Sequence, residues 1–203
     1  MSLIIYGSPK SRTMRVLWMA AELGLEFEHR PLEYDAPELK QPDFLALNPS
    51  GAIPTIVDGD FALSESLAIN LYLAKKYHAR APSLYPDSLE VEATILRWSL
   101  WAQGHLEPWV QKDLILVDLI QAIGNHGDAM VNYSLNTLNS VLADNLWLVT
   151  ENFTVGDLNV AAVLSPSRAS QLNMRDYPHV SDWLSRCYAR PAAIQARQRY
   201  QSR

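Results

Sequence analysis

Residues 48–74, NPSGAIPTIVDGDFALSESLAINLYLA, gather the side chains of this chain best placed to do chemistry. Glu65 and Ser66 open an apolar helical pattern, with Ser64 before them as the expected N-cap. Backbone N–H groups at a helix N-terminus, joined by a hydroxyl, make a site for a carboxylate. The carboxylate of Glu65 beside them can hold an ammonium. A ligand carrying both groups on one carbon, the end of an amino acid, suits that pair.

The elements that must hold this pair can be read on either side of it. Ile53-Pro54 precedes an apolar run, Thr55-Ile56-Val57, that reads as a strand. Pro54 has no N–H to give a ladder, so it belongs at the strand's first position or on an edge. Asp58-Gly59 turns the chain and Phe61-Ala62-Leu63 returns antiparallel. Earlier, Leu3 to Tyr6 reads as a buried strand closed by Gly7-Ser8-Pro9. Met14, Leu17, Trp18, Ala21 and Leu25 then recur at helical intervals, and Gly24 is a good stop. A strand over 27–32 follows, then short helical turns over 35–48 around Pro37 and Pro42. The order is β-α-β, a loose α, then β-β-α, which buries one sheet between helices.

The pattern changes after Tyr77. Residues 78–87, with Pro82 and Pro86, read as a linker. Helices are expected over 90–105, broken near Gly104 and Pro108, over 114–123 and over 128–144, with a turn at 124–127. Thr154 and Asp157 form a capping box before an apolar helix. A last amphipathic helix over 180–188 ends near Arg190-Pro191, and the basic ending from Arg197 through Arg203 reads as a solvated tail.

Composition narrows the function. The 203 residues carry a net charge of −5 with both signs interspersed, so duplex nucleic acid is not an expected partner. A single cysteine, Cys187, allows no internal disulfide and no thiolate cluster, and fits a reducing compartment. The five histidines lack metal-ligand spacing, so no metal site is expected. Neither a signal peptide nor a membrane span is legible, and a cytoplasmic location is the expectation.

With these pieces in place, the chain resembles the cytosolic glutathione S-transferases over nearly its whole length, in the serine-type, theta-like form common among bacterial members. The resemblance rests on Asn48-Pro49-Ser50-Gly51 with Ile53-Pro54 and Glu65-Ser66, and on the opening Tyr6-Gly7-Ser8-Pro9-Lys10-Ser11-Arg12-Thr13-Met14-Arg15-Val16. Phe153-Thr154-Val155-Gly156-Asp157-Leu158 and Tyr177-Pro178-His179-Val180 with Trp183-Leu184 and Arg190-Pro191-Ala192 extend it. It implies a thioredoxin-like glutathione-binding domain over 1–78, a linker over 79–87, and an all-helical domain over 88–203 on the electrophile side of a cleft. It also implies a homodimer, with glutathione as co-substrate and a small hydrophobic electrophile as its partner.

Carried over by residue, the resemblance implies a cis Pro54 that frees the Ile53 backbone to pair with the cysteinyl part of glutathione. Glu65 and Ser66 take the γ-glutamyl end. Many relatives have a Lys where Ala52 stands, so Lys40, Gln41 or Arg12 must reach the glycyl carboxylate instead. No cysteine stands at the first junction, which argues against members that form mixed disulfides. The double Ser-Cys signature of the maleylacetoacetate isomerase class is absent too.

The implied chemistry is attack of the glutathione thiolate on an electrophilic carbon. A free thiol titrates near ~8.5, and bringing it to about 6.5 takes roughly 2.7 kcal/mol of thiolate stabilisation. A helix N-terminus contributes ~0.3–1 kcal/mol, and a hydrogen bond to a charged acceptor ~1.5–3 kcal/mol. Together they suffice. Ser11, just before the first helix, is the chosen donor, with Ser8, Tyr6 and Arg12 as alternatives. Trp98, Trp101 and His105 share one helical face and are expected to line the electrophile pocket, and Trp109 joins them only if the break near Pro108 allows. The rival readings are a non-catalytic ligand- or protein-binding member and a glutathione-dependent peroxide or disulfide reductase.

Overall fold

The computed structural model describes residues 3–110 and 125–201. The chain divides into one unit of Met1–Tyr85 with Arg190–Arg203 and a second of Pro86–Ala189.

The first unit holds a four-stranded sheet in the order β2-β1-β3-β4. Its strands are β1 (Leu3–Tyr6), β2 (Phe27–Arg30), β3 (Thr55–Asp58) and β4 (Phe61–Ser64). β1 runs parallel to β2 and antiparallel to β3, with Tyr6 opposite both Arg30 and Thr55. α1 (Thr13–Glu22) provides the crossover between β1 and β2, and α3 (Ser66–Lys76) follows the hairpin. The two helices pack together on one face of the sheet, above the fully buried Ile5 and Ile56. On the other face Ile4, Tyr6 and Val57 meet Leu39 and Phe44, from a 3-10 turn at Pro37–Lys40 and from α2 (Pro42–Leu47). This is the βαβ-ββα order that the strand and helix periods implied, and the thioredoxin-like domain that the resemblance implied. Asp58, at the end of β3, accepts hydrogen bonds from the Tyr77 hydroxyl and pairs with Lys76 at 2.9 Å, tying α3 to the hairpin.

The basic ending departs from expectation. Its described part, residues 197–201, is helical rather than a tail, and the helix over 180–188 is not the last. Pro191 sits at the start of a further helix, α8 (Pro191–Gln201), which packs on α1. Ala193 and Ala196, small and one turn apart, are buried and allow close approach. Arg190 grips Glu22 of α1 through two hydrogen bonds of 2.7 Å, and Trp18 donates to the same carboxylate. Arg199 lies over the Phe27 ring and Tyr200 meets His29 edge-on.

The second unit is helical. α4 (Leu89–Trp101) runs into a π-helical turn, Ala102–Leu106, where a break was expected around Gly104. The helix expected over 114–123 lies outside the described residues. α5 (Asn125–Ala143) begins at Asn125, so the residues expected to turn at 125–127 are already helical. α6 (Val155–Leu164) and α7 (Pro178–Tyr188) follow it. The expected capping box at the head of α6 is formed, and Asp157 does more than cap. Its two buried oxygens accept from the backbone N–H of Leu148 and of Thr154, from the Thr154 hydroxyl and from the Trp183 indole, at 2.8–3.0 Å. Burial nevertheless pushes this carboxyl above the usual carboxylate range. No described helix is long and apolar enough to cross a membrane.

Candidate active site

In the first unit, residues far apart in sequence meet where β1 ends, α1 begins and the Ile53-Pro54 loop enters β3. The Ile53–Pro54 peptide bond is cis. The loop before it is held by Asn48, which is buried. Its amide nitrogen donates to the Ala52 carbonyl and the Thr55 hydroxyl, and its oxygen accepts from Ser50 N–H. Thr55 in turn donates to the Ala52 carbonyl.

Gly7 explains how the first junction approaches this loop. A Cβ there would collide with the Thr13 hydroxyl and come within 2.9 Å of the Ile53 Cβ, and its φ of +129° is one that only glycine adopts readily. The bare backbone of Gly7 therefore lets both the start of α1 and Ile53 close in on it. At that start, Ser11 Oγ donates to the Ser8 carbonyl at 2.7 Å and accepts from Thr13 N–H at 3.1 Å. The Thr13 hydroxyl lies 2.9 Å from it. The N-cap position itself belongs to Arg12, half-buried and without a side-chain cap.

The alternatives to Ser11 are engaged differently. Ser8 is buried and donates to the Glu33 carboxylate at 2.9 Å. Tyr6 is buried with its ring edge-on to Phe44, and its hydroxyl accepts from Arg30 at 2.9 Å.

The head of α3 differs from its expected form in one respect. Ser64 ends β4 and is not the cap; Glu65 holds that position, with no side-chain cap bond. Glu65 adopts φ +70° and ψ +108°, a conformation rare for a residue with a Cβ, costing about 1–3 kcal/mol. An ordinary cap takes extended backbone and turns its own side chain onto the helix. Here the strained backbone leaves the exposed Glu65 side chain outside that role. Ser66 is buried, and its hydroxyl accepts from Arg15 of α1 at 3.3 Å.

Lys40 and Gln41 are exposed, and Lys40 lies beside the same loop. Lys40 Nζ donates to the Gly51 carbonyl at 3.1 Å. In the helical unit, Trp98, Trp101 and His105 do share a face. Trp98 packs edge-on to Trp101, and Trp101 stacks on His105 with ring centroids 6.4 Å apart. Trp98 is buried and its indole donates to the Leu148 carbonyl, whereas Trp101 is half-buried and His105 exposed.

Three residues that stand in the motifs but were assigned no role in the site belong to this geometry: Thr13, Arg15 and Asn48. Arg15 carried a signal, since it stands among Met14, Val16 and Leu17 on a helix built for burial. Thr13 and Asn48 are polar residues at element ends, where capping explains them equally well, so nothing local set them apart.

Comparison with known proteins agrees with this arrangement. Residues 1–75 match the family model for the glutathione S-transferase N-terminal domain, and residues 127–191 that for the C-terminal domain. Glutathione S-transferase 3 of Zea mays is 35% identical over 202 residues, covering 93% of this chain and 90% of its own. A solved glutathione transferase F7 from Populus trichocarpa superposes with a TM-score of 0.82 at 27% identity, over 98% of this chain and 99% of its own. Ure2p in complex with glutathione, at 21% identity and a TM-score of 0.85 over 96% and 97% of the two chains, shares the fold. Two matched domains in one chain, a relative of this similarity along nearly its full length, and a cis-proline loop facing a helix start lead to one assignment: the chain belongs to the glutathione S-transferase family.

Proposed function

We propose that this protein joins the thiolate of glutathione to a small hydrophobic electrophile, with Ser11 as the hydroxyl that stabilises the thiolate. The observation that carries this reading is the close packing around Gly7. Its bare backbone has on it both the Thr13 hydroxyl, the partner of Ser11, and Ile53, the residue assigned to the cysteinyl part of the tripeptide. Sulfur held by Ile53 would therefore lie close to Ser11. Each hydroxyl has one proton and two lone pairs. If Thr13 gives its proton to Ser11 Oγ, that of Ser11 is left for the strongest acceptor in reach. Without ligand this is the Ser8 carbonyl. A thiolate, being charged, is a stronger acceptor and would draw the proton to itself.

Ser11 is favoured over Ser8, whose proton already lies on a carboxylate, and over Tyr6, whose hydroxyl is bound to Arg30. Arg12 contributes positive charge near the sulfur. Glu65 and Ser66 take the ammonium and carboxylate of the γ-glutamyl end. Lys40, held beside Gly51, takes the glycyl carboxylate in place of the lysine many relatives have at position 52, with Gln41 as its neighbour. Trp101 and His105, accessible where Trp98 is not, face the electrophile. A cytoplasmic homodimer is part of this reading. Leu89, Leu96 and Leu100 are exposed along α4 at spacings that place them on one stripe, as a subunit contact would require.

Turnover tests the reaction. The protein with glutathione and a halogenated aromatic should release halide and form the thioether. Turnover with a hydroperoxide or a small disulfide, but with no halogenated aromatic, would assign the reductase reading. Glutathione binding with no turnover on any of the three would assign the binding-module reading.

A further inference from the structure

We propose that Arg15, buried inside α1, is a positioning residue for glutathione, acting through Ser66 on the γ-glutamyl carboxylate. The inference rests on the glutathione-binding reading above and names a residue to which that reading gives no role.

Arg15 is 4% exposed, and its guanidinium crosses from α1 to α3 to donate to Ser66 Oγ at 3.3 Å. A buried arginine is costly to desolvate, so its place in a small domain needs a reason. The hydroxyl it meets supplies one. Ser66 has one proton, and an oxygen that accepts from a guanidinium keeps that proton for a different partner. Arg15 thus biases Ser66 to be a donor at the head of α3. There the first backbone N–H groups carry no side-chain cap. Donor hydroxyl, free amides and a positive charge behind them all favour an anion at one point. Arg15 also lies four residues after Ser11, which stands in the turn that leads into α1. The group assigned to the sulfur and the group that orients the carboxylate grip are therefore carried by one short stretch of chain, which limits the span between the two ends of the ligand.

The test compares glutathione with 4-aminobutanoyl-cysteinyl-glycine, which keeps the ammonium and thiol but lacks the γ-glutamyl carboxylate. Calorimetry gives both dissociation constants for the wild type and for Arg15→Gln. Arg15→Gln is expected to weaken glutathione about tenfold or more and the analogue less than twofold, while kcat at saturating glutathione stays within threefold. Equal weakening of both ligands, an unmoved glutathione Kd, or a loss confined to kcat would overturn the proposal and leave Arg15 a packing residue of α1. Circular dichroism and thermal melts establish whether the variant folds. Should Arg15→Gln not fold, Arg15→Lys keeps the buried charge but loses the forked geometry. It is then judged by the same contrast, with a glutathione Kd raised at least threefold and the analogue unmoved as the supporting result, and parallel loss or no loss as the contrary one. If the wild type binds neither ligand, it is the glutathione reading itself that fails, and the two failures are told apart.

Discussion

Ser11 Oγ and the carbonyl oxygen of Ser8 lie 2.7 Å apart, so the proton assigned to the sulfur is held by the protein's own backbone. Catalysis under this account begins with an exchange of acceptors, carbonyl for thiolate. The exchange is cheap because Thr13 occupies a lone pair of Ser11 throughout.

Ser11→Ala removes the donor and is expected to lower kcat about 10- to 100-fold, the size of one hydrogen bond to a charged acceptor, with glutathione Kd changed less than threefold. Thr13→Val keeps the shape and deletes the supporting hydroxyl, and should give a smaller loss of the same kind. Steady-state kinetics with calorimetric Kd values check both. A collapse of affinity with kcat intact would make Ser11 a binding residue.

Ser66→Ala is expected to raise the glutathione KM about tenfold, because it deletes the hydroxyl at the head of α3 and leaves a buried guanidinium N–H without its acceptor. Glu65→Gln should raise it by less, through the ammonium alone. An unchanged KM in both variants would return the pair to helix structure, though the backbone strain at Glu65 would then have no use.

How much of this was legible beforehand varies with the kind of information involved. The strand and helix periods were, and so were the hairpin at Asp58-Gly59 and the capping box at Thr154, because each is written locally within a few residues. Glu65 and Ser66 were found together, but Ser64 was misread as the cap. A sequence shows a hydroxyl ahead of a helix and cannot show that the chain takes φ +70° one residue later. The docking of α8 on α1 escaped for a different reason. Its buried face is alanine, whose weak periodicity is drowned by four arginines from 190 onward, and the Arg190–Glu22 pair spans 168 positions. The partners of Ser11 were legible only as neighbours. Which of them gives a proton and which receives one is a matter of geometry.

Asp157→Asn tests the polar knot of the helical unit. Both carboxylate oxygens accept two hydrogen bonds, and an amide would set its NH₂ against one pair of donors. A loss of about 2–4 kcal/mol is expected, or roughly 5–15 °C in Tm for a chain of this size. Differential scanning calorimetry measures it. A shift under 2 °C, on the order of what ~1 kcal/mol gives, would mean the knot relaxes around the amide.

Lys76 gives a pH signature. Its hydrogen bonds to Asp58 and then to Tyr72 hold its ammonium above the usual lysine range. A group raised in the folded state contributes its stability in full below the ordinary value, ~10.4, and loses it as pH climbs through the folded one. The Tm gap between wild type and Lys76→Met should therefore be flat from about pH 7 to 10 and close only above that. The side chain is 36% exposed, so solvent screens the pair and the gap should be smaller than that of Asp157→Asn. A gap that grew with rising pH would contradict the assignment.

The central claim, that this protein ionises a thiol it borrows, is tested most directly by the ultraviolet thiolate band of bound glutathione followed from pH 5 to 9. We expect the wild type to titrate near ~6.5, against ~8.5 for the free thiol, and Ser11→Ala to return most of that difference. Glutathione that binds but titrates like the free tripeptide in both proteins would contradict the account.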